Sequence, residues 1–267
     1  MIKASFCYVF QPAEVDEAVA RLAGLGYDGI EFWQQIIETM PVPRLKSALT
    51  ANGIACSQVC PYFDFVSGKE KWDATIEMGK RYIDIALELG STLIRVFTGP
   101  RSGSGAGSIA TEVQWNAAIE GLQVLCDLAL PHNIRFALEC HEGMLMEDSP
   151  TALRLLNGVG RSNLGANPQV PLKDEGPMYS LEQLAPFTIH MHSHNWIEYA
   201  SEPHGTRMTC LEDGVLDYYA IAELLMRNGF DGYLSIEHAN HGGKDDSWDT
   251  AKREASFFSK LKKHTEK

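Results

Sequence analysis

Short apolar runs alternate with longer amphipathic segments along the whole chain. The apolar runs have the length of strands, and the segments between them repeat apolar residues at helical spacing, which predicts eight strand–helix units. The predicted strands are Ile2–Phe10, Gly29–Trp33, Ile54–Pro61, Thr92–Thr98, Ile134–Cys140, Asn163–Asn167, Thr188–Ser193 and Tyr233–Glu237. The predicted helices are Ala13–Ala23, Val42–Ala51, Glu70–Leu89, Glu112–Leu130, Pro150–Val159, Tyr179–Leu184, Leu216–Arg227 and Ser247–Leu261.

Strict alternation of strand and helix favours a parallel sheet with right-handed crossovers. Eight such units in 267 residues fit a single closed (β/α)8 TIM barrel better than an open doubly wound sheet. The glycine-rich stretch 99–107 lacks the Gly-Lys-Ser/Thr ending of a phosphate loop, so we interpret it as a mobile loop over the barrel mouth. No Pro-rich or low-complexity linker interrupts the chain, which predicts one domain over residues 1–267.

Composition and charge exclude several classes of protein. With 45% apolar and 22% charged residues, the composition is that of a soluble globular protein. The net charge of −12 argues against a nucleic-acid partner, because phosphate binding needs a basic surface. The chain has no apolar run long enough to span a membrane, and its first residues lack the features of a signal peptide. The six cysteines follow no disulfide framework, so we expect a reduced, cytoplasmic protein.

Acidic, amide and imidazole side chains end five of the eight predicted strands, which is where barrel enzymes carry their chemistry. Side chains alternate between the two faces of a strand, and this rule turns Glu139, His141 and Glu237 toward the barrel axis. The same rule turns Asn167 and Gln169 of the sixth strand inward. The mouth of the barrel is therefore expected to collect these polar groups.

The predicted seventh strand carries three histidines at alternate positions, namely His190, His192 and His194, on one inner line. Two inward carboxylates repel each other in a buried site unless a cation compensates their charge. An oxygen-rich donor set with one imidazole suits Mn²⁺, Mg²⁺ or Co²⁺ better than a thiolate zinc site does. The sequence therefore predicts a divalent metal at the mouth, with Mn²⁺ as the first choice and Mg²⁺, Co²⁺ or Zn²⁺ as alternatives.

Four fragments resemble the xylose-isomerase-like TIM-barrel superfamily of sugar isomerases and epimerases, with its hydroxypyruvate isomerase and keto-inositol dehydratase relatives. They are LGYDGIEFW at Leu25–Trp33, ALECHEG at Ala137–Gly143, IHMHSHNW at Ile189–Trp196 and LMRNGFDGYLSIEH at Leu225–His238. The order and spacing of the fragments carry the resemblance over nearly the whole chain. It implies a homodimer or homotetramer and a metal held by Glu139, Asn167, His192 and Glu237.

Some positions depart from the superfamily pattern. Asn167 stands where relatives usually have Asp, so the site loses one negative charge and metal affinity should fall, although an amide oxygen can still bind a hard cation. Val170 stands where relatives often contact substrate with His or Asn, and Gln169 is the substitute that this chain offers. His194 and Asn195 replace a Lys-Asp pair that is common in relatives.

The predicted function is a metal-dependent isomerase or epimerase that acts on a small carbohydrate, a keto sugar or a hydroxy-keto acid. A bound cation would acidify a C–H bond next to a carbonyl and stabilise the enediolate. Glu139 would serve as acid and Glu237 as base, with exchangeable roles. The candidate substrate-binding residues are Trp33, His141, Gln169, His194 and Arg207.

Two other functions stay open. The first is a dehydratase or lyase acting on a keto-cyclitol, dehydroshikimate or a 3-keto-glycoside, in which an imidazole near the mouth protonates the leaving group. Its candidate imidazoles are His141, His194, His204, His238 and His241. The second is a non-catalytic sugar-binding barrel in which Asn167 marks the decay of a metal site.

Individual residues also have structural interpretations. Glu139 and Glu237 could pair with arginines such as Arg95 or Arg135 that line the barrel. His190 lies one layer deeper than His192, where a structural role is the stronger prediction. Glu31, at the end of the second strand, is expected to orient neighbouring groups or to pair with a lysine rather than to take part in the chemistry.

Overall fold

A computed structural model describes residues 1–100, 105–198, 200, 205–237 and 246–266. Its strands are β1 (Lys3–Cys7), β2 (Gly29–Trp33), β3 (Ala55–Cys60), β4 (Leu93–Val96), β5 (Arg135–Cys140), β6 (Leu164–Pro168), β7 (Met191–Ser193), β8 (Asn195–Glu198), β9 (Thr206–Thr209) and β10 (Tyr233–Ile236). Eight of them form one parallel sheet in the order β6-β5-β4-β3-β2-β1-β10-β7. The remaining two, β8 and β9, form an antiparallel hairpin that follows β7.

The sheet curls until its two edge strands nearly meet. Ala166 of β6 and Thr188, just before β7, form a parallel bridge, and the Ile189 N–H donates to the Ala166 carbonyl at 3.0 Å. Because the edge strands are joined in this way, the sheet is a nearly closed (β/α)8 barrel. This confirms the fold that the strand–helix alternation predicts.

Nine helices are present in the described part of the chain, and most pack an apolar face on the outside of the barrel. They are α1 (Val15–Leu25), α2 (Gln34–Thr39), α3 (Val42–Asn52), α4 (Lys69–Leu89), α5 (Glu112–Ala129), α6 (Ser149–Val159), α7 (Pro177–Leu184), α8 (Tyr218–Arg227) and α9 (Ser247–Thr265). Local capping fixes where several begin: Asp148 accepts from the Thr151 N–H at 2.8 Å and starts α6. None of the helices in the described ranges combines the length and apolarity that a membrane crossing requires.

Two elements were not predicted from the sequence. Helix α2 is only six residues long and has one buried residue, Ile37, so it leaves no helical periodicity to detect. The hairpin of β8 and β9 is joined to the segment that follows it by the Asn195 side chain, which donates to the Leu211 and Leu216 carbonyls at 2.8 and 3.0 Å. These contacts join residues 16 and 21 positions apart in the chain, so no local sequence pattern predicts them.

The barrel interior is polar near its mouth, in contrast to the apolar layer between strands and helices. At a lower level the Ser5 and Ser57 hydroxyls meet at 2.5 Å. Buried Glu31, His190 and His192 lie inside the barrel and contact one another. The middle of the glycine-rich loop (101–104) and His204, His238 and His241 lie outside the described residues.

Candidate metal centre and active site

The ends of β5, β7 and β10 bring Glu139, His192 and Glu237 together. Nδ1 of His192 lies 3.4 Å from Oε1 of Glu139 and 3.9 Å from Oε2 of Glu237. One ligand atom from each of the three residues lies within 4.8 Å of the other two. All three side chains are at most 9% exposed. Three of the four metal ligands implied by the sequence resemblance thus converge.

Glu31 fixes the orientation of His192. Its Oε1 lies 3.1 Å from Nε2 of His192, which leaves Nδ1 turned toward Glu139 and Glu237. Its Oε2 lies 3.0 Å from Nε2 of His190, and the Cys7 thiol donates to Oε1 at 2.7 Å. A carboxylate that holds the far nitrogen of a histidine is the usual support of a metal-binding imidazole.

The pKa values of this pair follow from burial and mutual charge. Burial by itself raises the pKa of Glu31, but the charge of His192 and the hydrogen bonds from both histidines hold it well below its ordinary value. Burial lowers the pKa of His192, yet the negative charges of Glu31 and Glu139 raise it well above its ordinary value. The contacts thus keep Glu31 ionised, as the sequence expectation of an orienting role requires.

Arg95 holds Glu139 as a carboxylate. Its Nη1 donates to Oε2 of Glu139 at 2.9 Å, and its Nη2 donates to the Pro61 carbonyl at 3.0 Å. The guanidinium also lies 4.5 Å from the ring centre of Tyr62 and 4.1 Å from that of Phe97. The ion pair is almost fully buried, with side chains 2% and 1% exposed. Glu139 therefore does both things considered from the sequence: it pairs with Arg95, and it belongs to the cluster with His192 and Glu237 that could hold a metal.

This environment sets the pKa of Glu139. Burial raises it, but the charges of His192 and Arg95 outweigh burial and lower it to about 2. Arg135, the other arginine considered from the sequence, is partly exposed and lies 4.0 Å from Asp231 instead. Of the two candidate arginines, the structure pairs Arg95 with Glu139.

Glu237 has a neutral partner. Gln169, at the end of β6, donates from Nε2 to its Oε2. Burial raises the pKa of Glu237 to about 7; the negative charges of Glu139 and Glu31 act in the same direction and the charge of His192 opposes them. The two carboxylates of the cluster therefore differ widely in pKa.

Asn167 meets the cluster from β6, where it is the register partner of Glu139. Its Oδ1 accepts from the backbone N–H of His192 at 2.8 Å, and the side chain is fully buried. Its Nδ2 has no hydrogen-bond partner among the described residues. The role of Asn167 as a metal ligand stays a prediction.

The predicted substrate-binding residues Trp33, His141, His194 and Arg207 have different surroundings in the structure. Trp33 donates to Oε1 of Glu31 at 3.3 Å, and the ring of His141 stands edge-on to Phe97 at 6.2 Å. The half-buried ring of His194 lies 5.8 Å from that of Trp196. Arg207 lies exposed on β9 of the hairpin.

Sequence reasoning missed Cys7, Tyr62 and Phe97. Cys7 lies two residues after the inward-facing Ser5, so strand alternation was a signal that could have revealed it. Tyr62 and Phe97 lie just after β3 and β4 and border the site through their contacts with Arg95, and Phe97 also contacts His141. A contact of that kind has no local sequence signature.

The residues present fit a divalent cation. Within the described ranges, the buried charges around His192 are the carboxylates of Glu31, Glu139 and Glu237 against one permanent cation, Arg95. Two carboxylate oxygens and one imidazole nitrogen are donors that Mn²⁺, Mg²⁺ and related ions accept. A dication here would offset the excess of buried negative charge.

Comparison with known proteins adds family evidence to this geometry. A family model described as "Xylose isomerase-like TIM barrel" matches residues 19–261. The chain is 26% identical over 243 residues to 3-dehydroshikimate dehydratase of Bacillus anthracis, covering 82% of this chain and 84% of that protein. It is 22% identical over 253 residues to inosose dehydratase of Geobacillus thermodenitrificans, covering 83% of this chain and 81% of that protein. D-allulose 3-epimerase from Methylomonas sp. has the same fold, with a TM-score of 0.78, 17% identity and coverage of 97% and 98%.

Proposed function

The chain belongs to the xylose isomerase-like TIM-barrel family, and from that premise we propose that it is a divalent-metal-dependent dehydratase of a polyhydroxylated cyclic ketone. The observation that carries the proposal is the difference between the two carboxylates of the cluster. Glu139 is paired with the Arg95 guanidinium and has a pKa of about 2, whereas Glu237 accepts a hydrogen bond from Gln169 and, through burial and the charges of Glu139 and Glu31, has a pKa of about 7. Of the two carboxylates, Glu237 is therefore the better candidate to gain and lose a proton.

Each protein group has a distinct part in this proposal. Glu139, His192 and Glu237 would hold the cation, for which we propose Mn²⁺. The cation would polarise the substrate carbonyl and stabilise the negative charge that develops when the neighbouring C–H bond breaks. Glu237 takes that proton, while Glu139 stays ionised beside Arg95 and fixes the position of its side chain.

Loss of water also needs a proton for the departing hydroxyl. His141 follows directly after β5, and its ring lies next to that of Phe97 at the mouth. An imidazole can hold a proton near neutral pH and give it up in a reaction. In the proposed step the C–H proton goes to Glu237, the C–O bond breaks, and the hydroxyl leaves as water with a proton from His141.

The curated relatives support this class of substrate. Their names give 3-dehydroshikimate and inosose, both of which are cyclic hydroxy-ketones. A ring with a carbonyl, a C–H bond on the adjacent carbon and a hydroxyl on the next carbon provides the acidic proton and the leaving group that a dehydratase needs. We therefore propose this kind of compound as the small-molecule partner.

Isomerisation or epimerisation, the function predicted first from the sequence, is the second candidate. Its support is the presence of two carboxylates beside the same imidazole, since epimerisation needs one group to remove a proton and another to return it. In that reaction Glu139 would have to be protonated beside Arg95, which the ion pair disfavours. This is why the dehydratase is placed ahead of it.

Turnover of three compounds by the manganese-loaded protein separates these functions. The compounds are 3-dehydroshikimate, inosose and D-allulose, each followed by NMR in water and in heavy water. We expect loss of water from one of the cyclic ketones, dependent on Mn²⁺ and abolished in Glu237→Gln. Epimer formation with deuterium uptake and no loss of water would favour the second candidate. Manganese binding without either reaction would leave the non-catalytic sugar-binding barrel.

A variant of His141 tests the proton donor. In His141→Asn we expect loss of water to slow about tenfold or more, since a positioned acid contributes a factor of roughly 10²–10⁴. Exchange of the substrate C–H proton with heavy water should be much less affected. Equal slowing of both reactions would contradict the assignment of His141 to the leaving group.

We also propose a reducing compartment, the cytoplasm, for this protein. All six cysteines are free and buried, as expected where thiols stay reduced. A homodimer or homotetramer, implied by the sequence resemblance, stays a prediction that sedimentation of the purified protein would check.

A further inference from the structure

The backbone N–H of His192 determines which end of the Asn167 amide is the oxygen and which is the NH₂ group. A backbone N–H can only donate a hydrogen bond, so the group that meets the His192 N–H at 2.8 Å must be the amide oxygen of Asn167. The two ends of an amide are distinguished by such partners. The NH₂ group of Asn167 is therefore the end directed away from the backbone of β7.

That NH₂ group is a buried donor without a partner. Asn167 has no exposed surface, and Nδ2 makes no hydrogen bond within the described part of the chain. Buried donors are normally paired, and an unpaired one is destabilising unless something else binds it. Asn167 is the register partner of Glu139, so its side chain extends from the same face of the sheet as that carboxylate.

An NH₂ group cannot bind a metal ion, because its nitrogen has no available lone pair and its hydrogens repel a cation. An acidic residue at position 167 would place an anionic oxygen where Asn167 has this donor. Asn in place of the Asp that is usual in relatives therefore replaces a potential metal ligand by a donor that needs an acceptor oxygen. In the proposed reaction, an oxygen of the substrate would supply this acceptor.

We propose that Asn167 is a substrate-binding residue, which donates from Nδ2 to an oxygen of the cyclic ketone, and that it does not bind the metal. The inference rests on the proposed function for the identity of the ligand. It assigns the metal to three side chains, Glu139, His192 and Glu237, and assigns the β6 position to substrate recognition.

Metal binding provides the first test. Metal-free wild type, Asn167→Ala and Glu237→Gln are titrated with Mn²⁺, and free manganese is followed by electron paramagnetic resonance. We expect the dissociation constant of Asn167→Ala to stay within about threefold of wild type, while Glu237→Gln weakens binding tenfold or more. An equal loss in both variants would show that Asn167 is a ligand and overturn the inference.

Asn167→Asp provides the second test. It keeps the inference testable if the alanine variant does not fold. The aspartate keeps an oxygen for the His192 N–H and reverses only the polarity of the other end. We expect Mn²⁺ to bind at least as tightly as in wild type, while the KM for the ketone that is turned over rises tenfold or more. An unchanged KM would overturn the inference.

The two proposals fail in different ways. If wild type binds Mn²⁺ and turns over a cyclic ketone, but Asn167→Ala loses the metal, the proposed function stands and the role of Asn167 is wrong. If wild type binds Mn²⁺ but neither 3-dehydroshikimate nor inosose, the proposed substrate class is wrong, and the donor role of Asn167 falls with it. A wild type that binds no Mn²⁺ overturns the proposed function at its metal centre.

Discussion

Two sides of the barrel mouth carry the same residue type in opposite electrostatic settings. On the β4–β5 side, Glu139 lies against the Arg95 guanidinium, and its pKa is lowered to about 2. On the β10 side, Glu237 faces the neutral amide of Gln169, and burial raises its pKa to about 7. Both carboxyl groups are buried, and the neighbouring charges, namely His192 and Arg95 beside Glu139 and the carboxylates of Glu139 and Glu31 near Glu237, separate their pKa values.

The largest effect is expected from removing the exchangeable proton. Glu237→Gln keeps the size of the side chain but removes its charge and its basicity, so kcat on the metal-loaded enzyme should fall about 10³-fold or more. The matched control is Glu182→Gln, the same change at an exposed position of α7, which should stay within about twofold of wild type. Steady-state kinetics measure both variants. A near-normal kcat in Glu237→Gln would contradict the role of Glu237 as the group that exchanges the proton.

The second largest effect is expected on stability, from removing the arginine that pairs with Glu139. Arg95→Met leaves Glu139 as a buried carboxylate without its partner, so the free energy of unfolding should fall by about 3–5 kcal/mol. The control is Arg154→Met, which breaks an exposed ion pair with Glu112 and should cost about 0–1 kcal/mol. Urea denaturation of the metal-free proteins measures the difference. Similar losses in the two variants would contradict the importance of the buried pair.

The pH dependence of stability should have opposite signs on the two sides in the metal-free protein. The folded-state pKa of Glu139 is lowered, so its contribution is present above about pH 4.5 and lost as the pH falls toward 2. The folded-state pKa of Glu237 is raised from 4.5 to about 7, so its contribution is present below about pH 4.5 and lost as the pH rises through 7.

Urea denaturation of metal-free wild type between about pH 5 and 8 checks the second of these contributions. We expect the free energy of unfolding to fall by roughly 3 kcal/mol over this range from Glu237 alone, at about 1.4 kcal/mol per pKa unit. The same titration of Glu237→Gln should lack the part of the decline that Glu237 contributes between about pH 5 and 7, and keep only the loss above about pH 6.5 that follows from the raised pKa of His192. If both proteins lose stability in parallel, the raised pKa of Glu237 is not its source.

Mn²⁺ should stabilise wild type more than it stabilises a variant that lacks the Glu237 carboxylate. Mn²⁺ at about a hundred times its dissociation constant should add about 2.7 kcal/mol to the free energy of unfolding of wild type. Glu237→Gln, at the same manganese concentration, should gain less because one ligand is weakened. Thermal unfolding with and without Mn²⁺ measures the gain. Equal stabilisation of both proteins would mean that the ion binds elsewhere.

Local patterns were sufficient for the barrel and for most of the cluster. Strand β2 has the predicted bounds Gly29–Trp33, because its apolar run is short and ends where α2 begins. Strand β1 is shorter than predicted, Lys3–Cys7 instead of Ile2–Phe10, because apolar residues continue past the last ladder contact and pack against other rings. Period-two alternation placed Glu139, His192 and Glu237 on the inner face, where the structure brings them together.

The sequence by itself determined that this chain alternates strand and helix and that certain polar groups end the strands, because both properties depend on residues near one another in the chain. Only the tertiary structure decided that Arg95 pairs with Glu139, that Gln169 meets Glu237, and that the oxygen of Asn167 accepts from His192. These partners come from different strands, and burial makes their charge and polarity count for far more than they would in water. The pKa difference between the two carboxylates is therefore a property of the closed barrel.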